Sequence, residues 1–359
     1  MPYTPYQDSS DCAFWSRSIS RVVHHAVDPV VGGSFLINSD TRVATAGSCF
    51  AQHISRHLRS IGIEPYVTEW PHPIVRDQAA DFHYGIYTAR FGNIYTSRQL
   101  LQLFARAYGQ FVPGEDVWLG ENGKFYDPFR PGLPGGFSTF QEYTEDRESH
   151  FYAVREMFEN LDVFVFTLGL TETWEAISDG AVFPSCPGAI AGTFDPLKHR
   201  FINLSVVDVV NDMNAFIGML VKINPSAKII LTVSPVPLVA TATKGHVLPA
   251  TIYSKSVLRV AAQQISDVHS NVDYFPSYEI ITGPQARGMY FAEDCRSVRP
   301  EGVEHVMKIF NKHYVENGDM VSECSEVVNN TLDVSISEAQ DALNVICEEL
   351  YNDSNLHPR

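Results

Sequence analysis

Short, nearly unbroken apolar runs alternate along this chain with longer stretches whose apolar positions recur every three or four residues. Residues 42–47 form the first run. Residues 50–62 follow at once, with Phe50, Ile54, Leu58 and Ile61 on one helical face and Gly62 as a helix stop. Residues 162–169 and 227–234 are almost wholly apolar, the pattern of central parallel strands covered on both faces. Between them residues 206–223 read as a helix ending before Asn224-Pro225. A second helix over 250–268 precedes a strand at 272–275, and a last helix begins after Pro300. Strand and helix in alternation predict an α/β fold, a three-layer α/β/α sandwich around a parallel sheet.

Two stretches interrupt the alternation. Residues 64–160 hold a proline-rich segment, a helix near 97–108 and a hairpin turning at Glu121-Asn122-Gly123. Residues 171–204 hold another hairpin around Ser178-Asp179-Gly180. Both follow places where strand ends emerge, so they read as insertions shaping a cleft. Residues 1–314 are expected to form one domain, and residues 315–359 an acidic tail with one helical pattern over 335–351.

Composition narrows the class. Of the 359 residues, 45% are hydrophobic and 19% charged, which marks a globular chain. The longest apolar run, residues 163–170, is too short to span a bilayer. No basic n-region or apolar h-region opens the chain, so a cytoplasmic location is expected. The net charge is −16, and from residue 315 onward there are ten acidic residues against one basic, Arg359. That balance disfavours a nucleic-acid partner, which needs a basic surface. The six cysteines contain no CxxC pair and suit neither a zinc site nor a disulfide framework. No metal and no cofactor are expected, and the oligomeric state is not legible.

The junction that carries chemistry is residues 45–51, a strand feeding directly into a helix. A cysteine just after such a turn sits at a helix N-terminus, where free N–H groups and the macrodipole favour its thiolate. Gly47 permits a tight turn, the logic of a nucleophile held on a strand–turn–helix bend. The structural alternative is that Ser48 caps the helix and Cys49 is merely buried.

Gly47-Ser48-Cys49-Phe50-Ala51 resembles the signature of the GSCFA family, a branch of the SGNH/GDSL hydrolase-like superfamily. Further similar stretches follow in order. They include residues 87–100 (YTARFGNIYTSRQL), 167–174 (TLGLTETW), 182–188 (VFPSCPG), 232–238 (TVSPVPL), 253–259 (YSKSVLR), 274–280 (YFPSYEI) and 296–302 (RSVRPEG). The resemblance spans about residues 40–312. It implies a flavodoxin-like sandwich with an SGNH hydrolase-type sheet, and chemistry on acyl groups of esters, lipids or carbohydrates.

Laying the superfamily's Gly-Asp-Ser block over Gly47-Ser48-Cys49 puts Cys49 in the nucleophile position; a shift of one residue would make it Ser48. For the oxyanion hole, Gly92 and Asn93 match the second block. Gly169, Thr171 and Glu172 occupy the third, with Thr171 where an asparagine is usual. The last block, Asp-x-x-His, departs from the pattern: Asp294 stands in the aspartate's place, and Arg296 or Arg299 falls where the histidine would. His305 lies within the following helix and is read as facing solvent. His246, in the loop after the 227–234 strand, is the expected general base, with His83 as the next choice. Lys255 is a candidate for holding an anionic group of the substrate. His53 and His57 share a helix face at i, i+4 but lack a third ligand, and read as surface or packing residues.

The expected activity is acyl hydrolysis or O-acyl transfer through an acyl-enzyme, on a small-molecule or carbohydrate substrate, including a polysaccharide precursor, with an acyl donor where transfer operates. The competing reading is a non-catalytic binding module that keeps the fold and its pocket.

Overall fold

The computed structural model describes residues 3–48, 50–72, 79 and 82–316. In chain order the elements begin with the one-turn helix α1 (Trp15–Ser18), β1 (Val43–Gly47), α2 (Ala51–Ser60) and α3 (Ser97–Ala107). Next come β2 (Trp118–Leu119), β3 (Phe125–Tyr126), α4 (Phe140–Asn160), β4 (Val163–Leu168), β5 (Glu172–Ala176), β6 (Val182–Phe183) and β7 (His199–Asn203). The last are α5 (Val206–Ile223), β8 (Lys228–Val233), α6 (Val247–Val268), β9 (Val272–Tyr274), α7 (Ser277–Thr282) and α8 (Pro300–Tyr314).

The main sheet is parallel, in the order β1-β4-β8-β9, with Gly47 opposite Thr167 and Thr167 opposite Thr232. Alternate side chains of β4 supply two separate cores. Phe164, Phe166 and Leu168 pack with α3, α4, α5 and α6, while Val163 and Val165 pack with α2, α7 and α8. Each fully buried phenylalanine contributes about 1.5–3 kcal/mol of transfer free energy. The three-layer α/β/α sandwich is therefore as the hydrophobic pattern predicts. Local chemistry sets the helix starts: Thr96 with Gln99, and Ser205 with Asp208, form capping boxes, and Pro300 opens α8.

Three regions differ from the expectation. Helix α4 lies in the stretch read as an insertion, yet Ala153, Val154, Met157 and Phe158 fill the core beneath the sheet. Its N-terminal half is polar apart from Phe140 and Tyr143, and that masked its period. Strand β7 adds a third member to the expected β5–β6 hairpin, giving an antiparallel sheet ordered β6-β5-β7. His305 does not face solvent. It is 5% exposed, with one ring nitrogen against the Tyr290 hydroxyl at 2.8 Å and the other against the Val27 carbonyl at 3.0 Å. The arm before β1 covers this side of α8, and Ile37 bridges to Val315. The helix expected over 335–351 lies outside the described residues. Among the described residues, no helix is long and apolar enough to cross a membrane.

Candidate active site

The parallel strands end together, and a cavity of about 310 Å³ opens over the C-terminal ends of β1, β4 and β8, at Ser48, Gly169 and Ser234. This is where open α/β sheets bind ligands. The antiparallel sheet forms its roof through Trp174 and Phe201, and the loop after β8 closes a side with Val236 and Leu238.

Gly47 makes the turn possible. Its φ is +135°, and a Cβ there would stand 2.3 Å from the Thr167 carbonyl oxygen. The Ser48 N–H donates to that same oxygen at 3.2 Å, pinning the turn to β4. Ser48 is 4% exposed, and its hydroxyl has no hydrogen-bond partner although it borders the cavity. It does not cap α2, whose N-cap position falls on Phe50. Cys49 lies outside the described residues.

The proposed oxyanion elements have other commitments. Ile94 N–H donates to the Gly47 carbonyl at 2.8 Å, so the segment carrying Gly92 and Asn93 lies against the turn. Asn93 donates to the Tyr95 hydroxyl at 3.2 Å and borders a separate small cavity instead. The Gly169 N–H is spent on the Tyr95 carbonyl at 3.0 Å. Thr171 is fully buried; its N–H donates to the Ser254 hydroxyl and its own hydroxyl to Asn203 at 2.6 Å. Gly169 instead serves close packing, since a Cβ there would lie 3.0 Å from Ser48 Cβ. Glu172 does border the cavity, where it accepts the Thr241 hydroxyl at 2.6 Å and the Ala242 N–H at 3.2 Å.

The histidines stand elsewhere. His246 is exposed at the N-cap of α6, where Nδ1 accepts the Leu248 N–H at 3.1 Å, and it does not border the cavity. His83 is buried away from it, pushed down to about 4 by burial and by Arg90. His57 meets Asn311 of α8 at 2.8 Å and His53 meets Arg56 at 3.1 Å, both packing roles. Among the described residues, no group of three metal-ligating side chains occurs. Asp294 is exposed and holds a turn: it accepts the Arg296 and Ser297 N–H groups, each at 2.9 Å, and the Ser297 hydroxyl. These bonds lower its carboxyl below the usual value. That turn delivers Arg296 to the cavity, with Nε donating to the Pro237 carbonyl at 3.3 Å.

Lys255, unlike these histidines, does reach the cavity. It is 1% exposed on α6, borders the cavity, and donates from Nζ to the Gly169 carbonyl at 2.8 Å. Gly169 thus touches both Ser48 and Lys255. Cys186 also borders the cavity, but burial pushes its thiol up to about 11, the reverse of an activated nucleophile. The burial of Lys255 had no signal in the sequence, because the residues that cover it come from other strands.

No curated protein matches this chain. One solved structure, "a putative platelet activating factor from Streptococcus pneumonia", is similar at 15% identity and a TM-score of 0.27, over 47% of this chain and 64% of the other. Residues 42–310 match the GSCFA family, three quarters of the chain including every strand of the main sheet. The chain belongs to the GSCFA family.

Proposed function

We propose that this protein is an SGNH-like acyl hydrolase or O-acyltransferase working through an acyl-enzyme on the Ser48–Cys49 turn. One observation carries the reading: a buried lysine and a buried, unpartnered serine hydroxyl border one cavity at the C-terminal end of a parallel sheet. Cys49 is the leading nucleophile on the register argument, and Ser48, which borders the cavity, is the alternative. In either case Lys255 takes the nucleophile's proton while the new acyl bond forms. It then returns that proton to the departing alcohol, as in Ser–Lys variants of the triad. Water or an acceptor hydroxyl then cleaves the acyl-enzyme. The Trp174 and Phe201 walls suit an acyl chain or a sugar ring.

A non-catalytic binding module is the second reading, favoured by the engagement of the Gly169 N–H and the Thr171 hydroxyl in internal bonds. Hydrolysis of a panel of activated acyl esters separates the two. Lys255→Met is expected to lower kcat/KM by about 10²–10⁴-fold, the worth of a general base. Cys49→Ala or Ser48→Ala should abolish turnover, and which one does so names the nucleophile. Measurable ester binding with no turnover in the wild type would leave the binding module standing.

A further inference from the structure

Beside the first cavity lies a second, smaller one of about 30 Å³, room for one or two water-sized occupants. Gln99 and Pro184 border both. The smaller cavity is lined by Arg106 of α3, Arg130 from the loop after β3, and His150 of α4. Each brings a buried nitrogen with no partner: Arg106 Nε, Arg130 Nη1 and His150 Nε2. Among the described residues that line it, no buried oxygen is left in the same condition. Three orphaned nitrogens around one void would cost several kcal/mol if it were empty.

The chemistry of these nitrogens selects the occupant. The arginine atoms can only donate. His150 Nδ1 lies 2.7 Å from the Glu69 carboxylate, which fixes a proton there. Burial works to raise that carboxyl, but His150, Arg90 and Arg130 hold it well below its ordinary range, so Glu69 stays ionised. Nε2 is consequently an acceptor in the neutral ring and a donor in the protonated one. A neutral ring suits water, which accepts from the arginines and donates to Nε2. A protonated ring presents three donors and no acceptor, which suits an anion.

Burial, and then Arg130, push the His150 ring toward its neutral form while the cavity holds no anion, so its proton enters with the anion and not before it. Arg90, Arg106, Arg130 and Arg147 face Glu69, Asp116, Asp127 and Asp146, four against four. Arg106 is the poorly served member. Its carboxylate contact is Asp116 at 3.4 Å, which it shares with Arg147, and burial brings its guanidinium down to about 10. An anion entering with a proton on His150 serves Arg106 and leaves the total charge of the cluster unchanged. The charged groups facing His150 from the packed elements are Arg130, which opposes its proton together with burial, and Glu69 and Asp127, which attract it.

We propose that this smaller cavity takes up one small monovalent anion of halide size together with a proton on His150. Occupied, it braces Gln99, whose Oε1 accepts the Tyr95 and Thr96 N–H groups at 2.8 and 2.9 Å and so supports the segment lying against the Ser48 turn. The inference does not depend on the catalytic reading.

The test compares thermal midpoints of the full chain in chloride or bromide with gluconate, which is too large for the cavity, at equal ionic strength. Because a proton is taken up, the halide effect is expected to be larger below the ordinary histidine value of about 6.5 than above it. A tenfold excess over Kd should raise the midpoint by about 2 °C. His150→Gln, which cannot take the proton, should lose the pH-dependent part of that rise. Crystals grown with bromide at the lower pH should show an anomalous peak between Arg106, Arg130 and His150. An equal midpoint in halide and gluconate at both pH values, or a cavity holding only water in bromide, overturns the proposal.

Discussion

Replacing Gly47 by alanine tests how the turn into Ser48 is held. At φ +135° an alanine pays about 1–3 kcal/mol for its backbone conformation alone. Its Cβ would also meet the Thr167 oxygen at 2.3 Å and the Thr167 nitrogen at 2.8 Å, main-chain atoms of a central strand that cannot swing aside. Relief requires parting the ends of β1 and β4, which breaks the Ser48 N–H bond to Thr167, worth about 1 kcal/mol. The expected cost is therefore about 2–4 kcal/mol, a large share of a typical 5–15 kcal/mol stability. Gly62→Ala is the matched control: φ is +81°, with nothing within 4 Å of the added Cβ, so only about 1–2 kcal/mol is at stake. Urea unfolding followed by circular dichroism measures both. Equal costs for the two variants would refute the steric part of the argument and with it the close β1–β4 approach.

Other expectations follow from burial. His83 titrates near 4 in the folded chain against about 6.5 unfolded, so its contribution is intact above about pH 6.5 and is lost as pH falls toward 4. His83→Asn, which tolerates the positive φ of 64°, should flatten the fall in unfolding free energy between those limits by up to about 3 kcal/mol; an unchanged pH profile would count against it. Cys186, held as a thiol by burial, should react with iodoacetamide more slowly near neutral pH than exposed Cys12 and Cys295, as read by peptide mass mapping. Preferential labelling of Cys186 would contradict its burial.

Helices α5 and α6 fall within three residues of their expected bounds, because a long amphipathic period and local start signals need no distant partner. The capping box of Ser205 with Asp208 is legible three residues apart. Helix α4 escaped because half of it has only a weak apolar face. The Gly47–Ser48 turn was legible because its chemistry is local; which side chains border the cavity above it was not, because that depends on what packs there. His246 looked like a base from its position after a strand, yet its ring is bound to its own helix.

The run of apolar residues in β4 and β8 determines a buried parallel sheet, since alternate side chains must be covered on both faces whatever the covering elements are. The glycine before Ser48 determines a turn that other residues resist. Neither feature says which residues meet across it. Lys255 and Ser48 are brought to one cavity through Gly169, and His150, Arg106 and Arg130 to another, by contacts between segments far apart in the chain. Burial of a charged or hydroxyl group depends on those long-range contacts, and a linear pattern of polar and apolar positions carries no record of them.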